Sequence, residues 1–191
     1  SLLVAKYDDG TRHLPLALAE QGRIAYESGD LKTARSALER FIEEDQKEGE
    51  VFQGKAPSQR PRVMYYLGWV DATEGKHEAA SSNFGKVIEL DPEHSLASDS
   101  ALQKGVALLN LEKFKESSQH LTSVQKNYPK HPKLERIIYY SGISLARQSL
   151  WDEAAIQFAA LIESYPKSSF ADRAIYEMAW CNRGAEKIEQ A

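Results

Sequence analysis

The 191 residues are 42% hydrophobic and 27% charged, with a formal net charge of -4 and a pI near 5.8, the profile of an ordinary chain able to bury a sizeable core. The acidic balance argues against nucleic acid as a main partner, since phosphate-backbone binders carry a basic excess; no apolar run approaches the roughly 18 to 20 residues that cross a bilayer, so no direct membrane insertion is expected. A single cysteine, Cys181, excludes an intrachain disulfide and a cysteine-based zinc site.

In chain order, residues 1–10 carry Leu2, Leu3, Val4 and Tyr7 at the spacing of a closing helical turn, like Leu121 to Tyr128, with no partner helix before them. A helix pair is predicted over 15–48, with Gly22 at a close approach, Gly29-Asp30 at the turn, Ala34 at a second small position and Leu38 as the wedge between the helices. An acidic run follows, Glu43, Glu44, Asp45, Glu48 and Glu50, relieved by Lys47 and leading through Val51-Phe52 and Gly54 to Pro57. This reads as an extended helix end with a solvated acidic face, then a surface loop over 49–60.

The second pair spans 61–94: Pro61, Met64, Leu67-Gly68, Gly75 at a break, Ala80, Phe84 and Asp91-Pro92. Gly75 suits a helix end that needs a left-handed residue, and Pro92 stops the second helix. The third, over 98–131, repeats the series with Gly105, Leu108, Phe114, Ser117, Leu121 and Tyr128-Pro129. The fourth, over 135–168, has Gly142, Leu145, Trp151, Ala154, Phe158 and Tyr165-Pro166. Ile175, Met178 and Ala179 open a partial fifth over 172–191. A large residue starts the second helix at Leu31, Phe114 and Trp151, with His77 the exception.

Pro61, Ser98, Glu135 and Asp172 stand 37 residues apart, and a fixed period of this size means stacked helical pairs. The interval from Pro15 to Pro61 is 46 because it contains the loop. Solenoids normally finish with a polar capping helix. Both ends here fall inside a repeat, so the expectation is a piece of a longer array whose uncapped ends are open to self-association. The alternative is that 184–191 is the frayed end of a terminal helix.

These positions resemble the tetratricopeptide repeat superfamily over about 170 residues and four motif matches, against a nominal repeat of about 34. The resemblance implies an all-α, right-handed α-solenoid of antiparallel helix pairs, about four full repeats with partial repeats at both ends. It implies a non-enzymatic, cofactor-free scaffold whose first helices line a concave groove for a protein or peptide. Tyr165-Pro166-x-Ser168, followed by Ala171, Ala174 and Tyr176, looks like the inter-repeat link of bacterial cell-envelope members. Those include the outer-membrane-assembly lipoprotein and the periplasmic partner of the Tol-Pal system. The link is shared by many other bacterial members; it favours a periplasmic or envelope location over a cytoplasmic one.

In the superfamily, positions 2, 5, 9 and 12 of the first helix face the groove. Transferred here, they give Arg62, Tyr65 and Trp69; Asp99, Leu102 and Val106; Arg136, Tyr139 and Ile143; and Arg173, Tyr176, Trp180 and Arg183. Trp, Tyr and Arg are the commonest binding hot spots, and this aromatic, cationic stripe suits a segment with acidic and apolar side chains. Tyrosine at position 5 also packs in the family consensus, so Tyr65, Tyr139 and Tyr176 serve either purpose. The runner-up is a structural segment of a longer solenoid or envelope assembly, acting through its repeat ends and convex face.

A chaperone-type carboxylate clamp is not expected: it needs Lys and Asn at positions 5 and 9 and Asn at position 6 of the next repeat, where this chain has Ala19, Arg23 and Tyr66. The five histidines, His13, His77, His94, His120 and His131, are scattered, with no pair spaced for a metal on one helix face. No Gly-rich phosphate loop or acid–base constellation is present, and Cys181 reads as a buried, inert thiol.

Overall fold

The computed structural model describes residues 14–47 and 59–189, and every element among them is a helix. They are α1 (Leu14–Glu27), α2 (Leu31–Lys47), α3 (Arg60–Thr73), α4 (His77–Leu90), α5 (Ala97–Asn110), α6 (Phe114–Asn127), α7 (Leu134–Ala146), α8 (Trp151–Ser164) and α9 (Ala171–Glu189). The helical turn expected at 1–10 and nearly all of the loop expected at 49–60 lie outside the described residues. Asp45, from the acidic run, pairs with Arg60 at the start of α3. Among the described residues no helix is long and apolar enough to cross a membrane.

Within each pair the contact that sets the helix separation is a large side chain lying on a glycine. A Cβ added at Gly22 would come within 2.4 Å of Leu38, at Gly68 within 2.8 Å of Phe84, at Gly105 within 2.3 Å of Leu121 and at Gly142 within 2.7 Å of Phe158. Only a residue without a side chain leaves that space. Ala34, Ala80, Ser117 and Ala154, each fully buried, hold the other side of the same seam. Ser117 is tolerated because its hydroxyl donates to the Gly105 carbonyl at 2.9 Å, which satisfies a polar group that burial would otherwise penalise.

The tight turn between paired helices uses one left-handed residue, two positions before each second helix: Gly29 (φ 84°), Gly75 (φ 75°), Glu112 (φ 58°) and Ser149 (φ 61°). That geometry lets the next amide reach back to close the first helix, as in Lys76 N–H to Asp71 O at 2.8 Å and Lys113 N–H to Leu108 O at 3.0 Å. The three links between pairs that lie among the described residues also share one solution. The ring Nδ1 of His94 accepts from Leu96 N–H at 3.1 Å, that of His131 from Lys133 N–H at 2.9 Å, and the Ser168 hydroxyl from Phe170 N–H at 3.2 Å. Two of the scattered histidines therefore do the job of the serine in the Tyr-Pro-x-Ser link.

The chain divides into two compact units, 1–100 and 101–191, with the boundary inside α5. In the first, α1, α2 and α3 pack Leu18, Leu38, Phe41, Val63, Leu67 and Val70 into one core. Arg35 on α2 bonds Asp71 of α3 at 2.6 Å and Glu74 at 2.8 Å, while Asn83 of α4 holds the other Asp71 oxygen at 2.8 Å. In the second, Ile138, Tyr139, Leu145, Phe158, Leu161 and Cys181 form the core. Its last helix, α9, runs through Glu186 without a turn, although Glu186 stands 37 residues after the left-handed Ser149. Gly184 instead lies flat on the Trp151 ring, where a Cβ would sit 2.9 Å from the indole.

A left-handed conformation costs a residue with a side chain roughly 1 to 2 kcal/mol, and glycine is free of that cost. Ser149→Gly is therefore expected to raise stability by about 1 kcal/mol, and Gly75→Ala, which has nothing within 4 Å to clash with, to lower it by a similar amount. Urea unfolding followed by circular dichroism measures both; equal midpoints in all three proteins would refute the strain at Ser149.

Candidate functional site

In the first unit the candidate residues sit on α3, and each is engaged by its own chain. Arg62 reaches Glu20 of α1 at 3.0 Å, and the same carboxylate takes Arg23, which also holds Glu27. The hydrogen bond from Arg23 and the charge of Arg62 hold the Glu20 carboxyl below its usual range. The positive stripe expected here is thus neutralised internally. The Tyr65 hydroxyl donates to Asp99 at 2.8 Å, and burial pushes its pKa up. Its ring meets Trp69 edge-on at 6.2 Å and Phe84 at 6.0 Å; Trp69 in turn packs on Phe84 at 5.7 Å. Because Phe84 is the wedge on Gly68, these rings brace the helix pair, and Trp69 is only partly exposed.

In the second unit the nine stripe residues separate by burial. Leu102 is 0% exposed and so presents nothing to a ligand, which corrects its assignment to the groove. Tyr139, 9% exposed, is also interior: it lies between Phe158 at 6.0 Å and Phe170 at 5.0 Å, so the packing role of position 5 prevails there. Val106 and Ile143 are half-buried. Arg136 is half-buried as well, its guanidinium 5.5 Å from the centre of the Tyr140 ring.

The remaining four residues lie on α9 and stand in the open. Arg173 and Arg183 are exposed, Tyr176 is 61% exposed and Trp180 51%. Tyr176 meets Trp180 edge-on at 6.2 Å, and the Arg183 guanidinium stacks 5.5 Å over the indole. The opposite side of the helix, Ala174 and Cys181, is fully buried, and burial raises the Cys181 thiol, which keeps it unreactive. This face is where aromatic area and guanidinium charge coincide.

Sequence reasoning missed Glu20, Glu27 and the exposed Ile175. The Glu20–Arg23 and Arg23–Glu27 pairs had a signal, spacings of three and four on one helix. The Glu20–Arg62 pair spans 42 residues and needs the packing of α1 on α3 to be seen.

Two family models, each described as Tetratricopeptide repeat, match residues 19–93 and 137–168. Among solved structures, YrrB, described as a TPR protein with an unusual peptide-binding site, aligns with a TM-score of 0.74 at 18% identity, over 96% of this chain and 84% of that one. The nearly identical TPR-like repeats of a Podosopora anserina putative kinesin light chain align at 0.67 and 15% identity, over 91% and 88%. MamA from residue 41 to its end, from Desulfovibrio magneticus RS-1, aligns at 0.63 and 17%, over 92% and 93%. At such identities the likeness is one of fold. No curated protein matches the sequence.

The two tryptophans of the stripe should respond differently to truncation. Trp69→Ala removes ring contacts to Phe84 and Tyr65 and is expected to cost about 2 kcal/mol, whereas Trp180→Ala, at an exposed site, should stay within about 0.5 kcal/mol. Urea midpoints report this, and equal losses would contradict the burial difference.

Proposed function

The chain belongs to the tetratricopeptide repeat family, whose fold serves protein–protein interaction, and on that premise we propose that it is a docking scaffold for a protein or peptide segment with acidic and apolar side chains. One observation carries this reading: Tyr176 and Trp180 are both more than half exposed on a single helix face, between Arg173 and Arg183. Such a face offers flat apolar area at small ordering cost. Its guanidinium edges are left available to a carboxylate. YrrB, with its peptide-binding site, is similar to this chain in fold and supports a peptide as one form of the ligand.

Recognition on this reading is binding without chemistry, centred on α9. The first unit contributes less: Arg62 and Arg23 are satisfied by Glu20 and Glu27, so an acidic ligand would have to displace an existing ion pair there. Ile175, 50% exposed beside Tyr176, gives weight to the second reading, association through a repeat end, because it enlarges the apolar face beyond the groove positions.

The test is capture from the source cell's lysate by the parent, by Trp180→Ala and by Arg183→Ala, with helicity checked first. A partner held by the parent should be retained at least tenfold less by Trp180→Ala, and less by Arg183→Ala in a salt-sensitive way. Equal capture by all three would refute docking on α9.

A further inference from the structure

The repeats supply an internal standard for α9. Thirty-seven residues earlier on α7, Ile138 is 8% exposed and Tyr139 9%; on α9 the corresponding Ile175 is 50% exposed and Tyr176 61%. On α7 these positions are covered by what packs there, including Phe158 of α8 and Phe170. α9 is not shaped to receive the same cover. Each of the four earlier pairs has glycine under its wedge, with Leu38, Phe84, Leu121 or Phe158 in the space a Cβ would need, whereas α9 has Ala179 there. It also lacks the left-handed turn that would bring a second helix back over it, remaining helical through Glu186. Nor is this face the polar surface that caps a solenoid.

What the face does have is self-complementarity. Asp172, Tyr176, Ala179 and Arg183 follow one another at spacings of four, three and four, the seam of a helix that packs lengthwise on another, with Ile175 and Trp180 flanking it. The seam carries an acid at one end and a base at the other, about 16 Å apart at 1.5 Å per residue. Two such helices laid antiparallel, about a two-fold axis between Glu177 and Met178, bring Asp172 of each against Arg183 of the other. The same axis sets Ile175 opposite Trp180 and Tyr176 opposite the small Ala179. A parallel pairing would oppose like charges at both ends.

We propose that the exposed face of α9 is an isologous interface that takes the α9 of a second copy of this chain, antiparallel, closed by two exchanged Asp172–Arg183 ion pairs. The assignment rests on the reading of α9 as a docking face and names its partner: the second copy's α9 supplies the acidic and apolar side chains that the face suits. A two-fold axis uses the same patch on both subunits, so one self-complementary surface is enough. Stacking of Arg183 on Trp180 orients the guanidinium and leaves its N–H edge for the carboxylate. One helix face is a small interface, of the transient class below about 1,200 Å², so the dimer forms at high concentration and exchanges quickly.

Sedimentation velocity of the 191-residue chain over roughly 1 to 300 µM, the range suited to a transient interface, is the experiment. The parent should pass from monomer to dimer. Asp172→Arg, and separately Arg183→Asp, should weaken dimerisation at least tenfold through like-charge contacts, and the double exchange should restore it to within about threefold. Circular dichroism establishes that all four are equally helical, and Arg183→Asp guards against loss of the favourable acid in the first turn of α9. A parent that stays monomeric, single reversals without effect, or a double exchange that fails to restore the dimer would each overturn the assignment. A monomeric parent whose lysate partner is lost with Trp180→Ala removes only the second copy as occupant; a Trp180→Ala that changes neither capture nor self-association removes the docking reading as well.

Discussion

Everything in this fold depends on four glycines that are occupied by someone else's side chain. Leu38, Phe84, Leu121 and Phe158 lie within 2.3 to 2.8 Å of where a Cβ would be on Gly22, Gly68, Gly105 and Gly142, so the distance between paired helices is set by a ring or an isobutyl group resting on bare backbone. The contact is apolar and tightly packed, which fixes separation and register together. Tyr65 and Trp69 lean on the outer edge of Phe84, and Tyr139 on Phe158, so residues that look like ligand contacts in a linear pattern are recruited to hold the wedge.

The fold was legible because that contact leaves a mark in sequence: a glycine, then a large apolar residue sixteen positions later, four times. The helix starts followed from the same frame. Two kinds of position resisted. At the turns, Glu112 and Ser149 stand where glycine stands elsewhere, so composition alone concealed a conformation that the repeat imposes. At the links, His94, His131 and Ser168 share one hydrogen-bonding role through different chemistry, so links that differ in sequence reach the same turn geometry.

The candidate site was legible only as a set of helical positions. Position numbers say which way a side chain leaves its helix, and they carry no information about what meets it. Arg62 and Tyr65 leave α3 toward Glu20 and Asp99 and are consumed by them. Leu102 is enclosed altogether. The same positions on α9 meet no such neighbour among the described residues, and there the expected aromatic and cationic character survives as surface. The exposure of Ile175 was not legible because its counterpart Ile138 is a core residue; identity in the pattern concealed a change of surroundings.

Within each unit, helices pack on those next or next but one along the chain: α1 on α2 and α3, α2 on α3, α3 on α4, and again α6 on α7, α7 on α8 and α9, α8 on α9. The segments that must be closed to form any of these contacts are therefore short, and loop-closure entropy grows only slowly with length in any case. Among the described residues no strand has to find a distant partner before burial begins to repay the ordering. Kinetically this places the chain with the low-contact-order proteins, which fold in microseconds to milliseconds. A nascent chain of this design can settle each helix pair as soon as its wedge and its glycine have both been made.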